Sequence, residues 1–112
     1  MRKQRYLEKI ENLEKQIEFI ESHKIEDEVT ERALLYSLQV SVEICMDIIA
    51  MKVKDTGLVV EDNYTNINKL AEENVLEEKE AEILRKYNGI RNIIVHKYNK
   101  IEISIIKKAF SF

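Results

Sequence analysis

The chain has 112 residues, is 45% apolar and 35% charged, and sets 18 Lys or Arg against 21 Asp or Glu for a net charge of −3. That length gives one domain spanning 1–112 with one core, and two Gly, no Pro and no Trp exclude turn-rich sandwiches, barrels and disordered linkers. A lone Cys45 excludes a disulfide framework and a multi-thiolate zinc site, and it points to a reducing, cytoplasmic setting. No apolar run approaches the roughly 20 residues that span a bilayer, and the Met-Arg-Lys-Gln-Arg start leads into an amphipathic pattern rather than a secretion signal.

In chain order, Leu7, Ile10, Leu13, Ile17 and Ile20 recur at spacings of three and four, one stripe of an amphipathic helix. Residues 22–28 are a polar connection, and Asp27 or Thr30 is positioned to cap the next helix. From about 28 to 55 the pattern is apolar on several faces. Leu35, Leu38, Val42, Cys45, Ile49 and Val53 make one stripe, and Leu34, Val40, Ile44, Ile48 and Met51 broaden it. That predicts a central helix, packed on its own domain on one side and on another chain on the other. Gly57 suits its C-terminal cap. A loop over 58–64 leads to a short helix starting at Asn63 or Thr65, with Ile67, Leu70 and Ala71 inward. A further helix begins near Glu77, where Glu77, Glu78 and Glu80 suit the positive end of the helix dipole. Gly89 lies inside it, at a cost of about 1 kcal/mol against Ala, and calls for a reason such as close backbone approach. Over 101–112 the isoleucines fit a strand or a helix; a lone strand would have no partner, so helix is expected. The fold class is all-α, an antiparallel bundle of four or five helices.

Chemistry concentrates in residues 89–98, where Arg91, Asn92, His96 and Tyr98 interrupt an apolar helix. Asn92 and His96 are four apart and share a face. Arg91 and His96 are five apart, roughly 140° around the axis and about 7.5 Å along it. An Arg and a His on one anionic group suit phosphodiester chemistry. The guanidinium clamps phosphate oxygens and answers charge that develops in the transition state. Imidazole exchanges a proton near neutral pH. Metal-free RNA cleavage needs a base for the 2′-OH and an acid for the 5′-oxygen. One chain offers one suitable His, and two chains across a two-fold axis offer two. The alternative is a structural salt link with a satisfied histidine, with Tyr64, Tyr87 and Tyr98 as half-buried aromatics. His23 reads as a surface residue, Cys45 as a core one, and the Glu-rich stretch 72–82 as a solvated face or a docking surface for a basic partner.

The Arg-x4-His-x-Tyr pattern of residues 91–98 resembles the signature of the HEPN superfamily, and more narrowly that of HepT-like toxins paired with minimal nucleotidyltransferase antitoxins. Glu31-Arg32-Ala33, Leu38-Gln39, residues 43–50, Asn63-Tyr64, Leu70-Ala71 and Ile101-Glu102 also stand where that family places such residues. The resemblance implies a homodimeric helical bundle, dimerising through long helices, with paired motifs lining a cleft. It implies a metal-independent endoribonuclease acting on RNA, the toxin of a type VII toxin–antitoxin pair, with no metal and no cofactor. Carried over by position, Arg91 binds and stabilises the scissile phosphate, His96 transfers protons, and Asn92 supports the site. Glu43 and Asp47, one turn apart on the second helix, are further supporting candidates, although a solvated or helix-pairing role serves them as well. Tyr98 matches the tyrosine that the antitoxin modifies with AMP, which adds bulk and negative charge where RNA phosphate binds. Two other readings stand beside it: a non-catalytic RNA- or nucleotide-binding subunit of a minimal nucleotidyltransferase, and a purely structural dimer.

Charge distribution fits a polyanionic substrate better than the average does. Residues 85–112 hold seven Lys or Arg and one acid, Glu102, for a balance of +6, whereas residues 1–84 carry −9. Dimerisation would bring two basic segments together in one cleft.

Overall fold

The computed structural model describes residues 2–96, which form four helices and no strand: α1 (Arg2–Ser22), α2 (Glu28–Asp55), α3 (Asn63–Glu72) and α4 (Glu78–His96). The expected tail helix over 101–112 and Tyr98 lie outside the described residues.

Local capping chemistry sets the helix ends. Asp27 and Thr30, both candidates to start α2, act as a pair. The Thr30 amide donates to Asp27 Oδ1 at 2.8 Å, and the Asp27 amide donates back to Thr30 Oγ1 at 3.0 Å. At the other end Gly57 takes φ +85°. Its amide and that of Leu58 then close on the carbonyls of Lys54 and Val53 at 3.0 and 3.1 Å, and Leu58 folds onto the core. Helix α3 repeats the scheme with Asp62 accepting from the Thr65 amide and with Asn74 (φ +59°) in the left-handed position. Before α4, Glu80 reaches back to the Glu77 amide at 2.9 Å.

Helix α2 has two buried sides. Leu35, Leu38, Val42, Met46, Ile49 and Val53 form the core with Ile67 and Leu70 of α3 and Ala81, Ile90 and Ile94 of α4. Met46 takes the place expected for Cys45, which packs half-buried at the edge. The second side carries Leu34, Ser37, Ser41, Ile44 and Met51, and α1 covers it. This corrects the expectation that another chain would lie there. Helix α1 runs antiparallel to α2: Tyr6 Oη donates to Asp55 Oδ2 at 2.6 Å, Arg2 pairs with Asp55, Lys9 with Asp47, and Ser37 Oγ donates to Gln16 Oε1 at 2.7 Å.

The face of α1 also differs from the predicted stripe. Tyr6, Lys9, Leu13, Gln16 and Ile20 turn half-inward, and Leu7, Ile10 and Ile17 are exposed. The reason lies in the facing surface, where Ser37, Asp47 and Asp55 reward polar partners that an apolar periodicity does not count. No residue of α1 is fully buried. One 18-residue window of α2 has mean hydropathy 1.6 and would span a bilayer by length and composition, but 56% of it is buried inside the chain, as befits a core helix.

Candidate active site

Helix α4 packs against α2 and α3, and its periodicity sorts its polar residues onto separate edges. Ile90 and Ile94 enter the core. Arg91, about 60° beyond Ile94 around the helix, meets α2. Its Nε and Nη2 donate to Glu43 Oε2 at 3.0 and 2.8 Å, and Nη1 donates to Asn92 Oδ1 at 3.2 Å. Gln39 Nε2 reaches the same Glu43 oxygen at 3.4 Å. The Arg91 side chain is 25% exposed and that of Glu43 39%, so the pair sits at a rim and contributes about 1 kcal/mol at most to stability. Its stronger effect is geometric. A guanidinium has five N–H donors; three are committed among the described residues, which fixes the plane of the group and leaves two for an incoming anion.

Of the residues singled out from sequence, the structure therefore brings together Arg91, Asn92 and Glu43. It does not bring in Asp47, which is 61% exposed and pairs with Lys9 Nζ at 3.1 Å on the α1 side. His96 ends α4 exposed to solvent, about 7.5 Å further along the axis and turned away from the Arg91 edge. Among the described residues the hydrogen bonds of Arg91 go to Glu43 and Asn92, and none joins it to His96. A Cβ built at Gly89 meets nothing within 4 Å among the described residues, so no described element of this chain supplies the close approach expected there. Tyr98 lies outside the described residues.

Neighbouring groups sharpen the site's boundary. One turn before Arg91, Asn88 is 9% exposed and its Oδ1 accepts from Asn63 Nδ2 at 3.1 Å, tying the start of α3 to α4. Burial pushes the Cys45 thiol up, away from thiolate chemistry. Among the described residues, no group of three or more His, Cys, Asp or Glu is placed to hold a metal ion. His23 is exposed and stacks on Phe19 at 4.2 Å, where it finishes α1. Tyr64, a half-buried aromatic in the purely structural alternative, is 56% exposed, with Arg85 over its ring at 5.8 Å. Its only signal in the sequence is the neighbouring Asn63, which places it in the first turn of α3.

The family model described as "Ribonuclease HepT-like" matches residues 3–111. The chain belongs to the ribonuclease HepT-like family. It is 55% identical over 111 residues to a "Putative RNase" of Archaeoglobus fulgidus, covering 99% of this chain and 84% of that one. A "Putative RNase" of Methanocaldococcus jannaschii is 53% identical over 81 residues, covering 71% of this chain and 93% of its own. A second Archaeoglobus fulgidus "Putative RNase" is 41% identical over 106 residues, covering 95% and 80%. No solved structure matches the chain. This HepT-like ribonuclease thus has RNA as its substrate and the all-helical bundle expected of a HEPN fold.

Proposed function

We propose that the protein is the cytoplasmic endoribonuclease toxin of a toxin–antitoxin pair, cleaving RNA without a metal in a cleft shared by two copies of the chain. The observation that carries this reading is the division of labour on α4. Arg91 is clamped by Glu43 with donors to spare, while His96 stands exposed on another edge. One chain does not aim both at one phosphate; two chains related by a two-fold axis supply the pair, and a second imidazole besides.

In that cleft the Arg91 guanidinium holds the scissile phosphate by its remaining N–H groups and answers the charge on the non-bridging oxygens as phosphorus becomes five-coordinate. One His96 accepts the 2′-OH proton as the 2′-oxygen attacks phosphorus. The other, protonated, gives its proton to the departing 5′-oxygen, leaving a 2′,3′-cyclic phosphate and a 5′-hydroxyl. Glu43 holds Arg91 in place and takes no proton. Tyr98, two residues past His96 in the chain, is the target for AMP transfer from ATP by a partner nucleotidyltransferase: its hydroxyl oxygen bonds to the α-phosphorus, pyrophosphate leaves, and the phosphodiester charge added beside the site silences it.

The test is RNA cleavage in EDTA by wild type, His96→Ala and Arg91→Ala. Wild-type cleavage with both variants inactive supports the reading. Absent wild-type cleavage, or variants as active as wild type, sinks it. Mass spectrometry after incubation with the nucleotidyltransferase and ATP tests Tyr98: an adduct of AMP on Tyr98 is expected, and adducts only elsewhere remove its role.

A further inference from the structure

Arg85, Gly89, Asn92 and His96 follow one another at spacings of four, three and four, so they form one edge of α4 about 16.5 Å long. Gly89 leaves that edge without a side chain at its middle, and among the described residues nothing lies within 4 Å of where one would stand. Glycine is unfavourable inside a helix, and none of the described residues approaches the position.

At the far end of the edge, Tyr64 of α3 lies against Arg85. The Arg85 guanidinium is locked: Nε donates to Asn68 Oδ1 at 2.9 Å and Nη1 to Glu78 Oε1 at 2.8 Å. Glu78 answers its charge, so Arg85 makes a poor phosphate clamp. It makes a good rigid backing for the tyrosine ring, which it covers at 5.8 Å. Tyr64 is 56% exposed. An aromatic ring braced on one face and open to solvent is a platform for the π-face of a nucleobase, which carries no charge for Glu78 and Glu82 to repel.

We infer that this edge is a flanking-nucleotide subsite: the RNA strand leaves His96, crosses the bare backbone at Gly89, and stacks one base on Tyr64. The inference rests on the ribonuclease reading above and deepens it by naming where substrate outside the scissile bond is held. Tyr64 is a binding residue here, so its removal acts on KM more than on kcat.

The experiment uses full-length protein and an RNA oligonucleotide with a mapped cleavage site, together with a set in which one abasic residue is walked along the strand. Wild type is expected to lose about ten-fold in kcat/KM at one flanking position, a typical worth for one stacked base. Tyr64→Ala is expected to raise KM about ten-fold on intact RNA and to become indifferent to the abasic residue there, and Tyr64→Phe keeps wild-type behaviour. Gly89→Ala is expected to raise KM while subunit association stays unchanged. An unaltered KM in Tyr64→Ala, or the same abasic penalty with and without the ring, overturns the proposal. A Gly89→Ala variant that loosens subunit association and leaves KM alone assigns that position to a second copy instead, and removes it from the subsite. If wild type cleaves no RNA, the ribonuclease reading has failed, and the subsite is decided by fluorescence anisotropy with the same oligonucleotides. A roughly ten-fold weaker Kd for Tyr64→Ala supports it, and equal Kd values overturn it.

Discussion

The two edges of α4 differ in how much of their geometry is settled before substrate arrives. Along the inner edge, Ile90 and Ile94 are buried in the core, Asn88 is tied to Asn63, and Arg91 is held by Glu43 and Asn92. Along the outer edge, Gly89, Asn92 and His96 face solvent. A phosphate clamp gains from rigidity, because donors already in place need no reorganisation when charge develops. A proton-transfer group and a strand track gain from access. In the proposed mechanism one helix supplies both, because 3.6 residues per turn separate neighbours in sequence onto different sides.

The largest expected effects break the chemistry without touching the scaffold. His96→Ala should lower kcat at least a hundred-fold, the usual worth of a positioned acid or base, while its exposed position leaves Tm nearly unchanged. A His96→Ala protein that is inactive because it melts early would remove the distinction between the two edges. Next, Ile67→Ala attacks the inner edge from below. Ile67 is fully buried among α2, α3 and α4, so truncation should cost about 3 kcal/mol in urea unfolding and lower activity only through lost fold.

Glu43→Gln is a subtler probe, since it keeps an acceptor and removes the charge that orients Arg91. A fall in kcat of about ten-fold, with stability changed by no more than about 1 kcal/mol, is expected of a positioning carboxylate. A rise in activity would instead mark Glu43 as a competitor of the substrate phosphate.

The smallest effects are those of pH on the parts remote from the site. The Thr30 and Thr65 amides hold the Asp27 and Asp62 carboxyls below their ordinary values, and the Tyr6 hydroxyl does the same for Asp55. Each binds a proton less readily when folded. Its stabilisation is therefore complete above the ordinary carboxylate pKa near 4 and is lost as pH falls through the depressed folded value. Tyr6 behaves oppositely: burial, then the bond to Asp55, pushes it up to about 12, so its contribution is whole below about 10 and lost as pH rises through about 12. Tm measured across both ranges should fall at each end, and Asp55→Asn should shrink both falls. Unchanged slopes in Asp55→Asn would show that the α1–α2 contact carries none of this dependence.

Much of this architecture is legible in the sequence, and the division between legible and hidden has a physical basis. The limits of α2 follow from Asp27, Thr30 and Gly57, whose capping chemistry acts within four residues; α3 starts at Asn63, one of its two expected positions, with Asp62 as the cap. The core side of α2 follows from periodicity. The inward face of α1 does not, because it answers to Ser37, Asp47 and Asp55 on another helix, and polar partners there outweigh apolar spacing. Arg91 and Asn92 are legible as a motif. The clamp is only half legible: Glu43 and Asp47, one turn apart, are equal candidates in sequence. Only the way α2 lies on α4 decides between them, sending Glu43 to Arg91 and Asp47 to Lys9. Exposure of Tyr64 and the open space at Gly89 are likewise properties of the assembled surface.

The central claim is that Arg91 of one protomer works with His96 of another. Co-expressing Arg91→Ala and His96→Ala chains with different tags, and isolating the mixed dimer, tests it directly. The mixed dimer keeps one intact arginine and one intact histidine on opposite chains; with the second proton transfer left to water, it should recover weak but measurable RNA cleavage that neither parent variant shows. A mixed dimer as inactive as both parents would contradict a shared site.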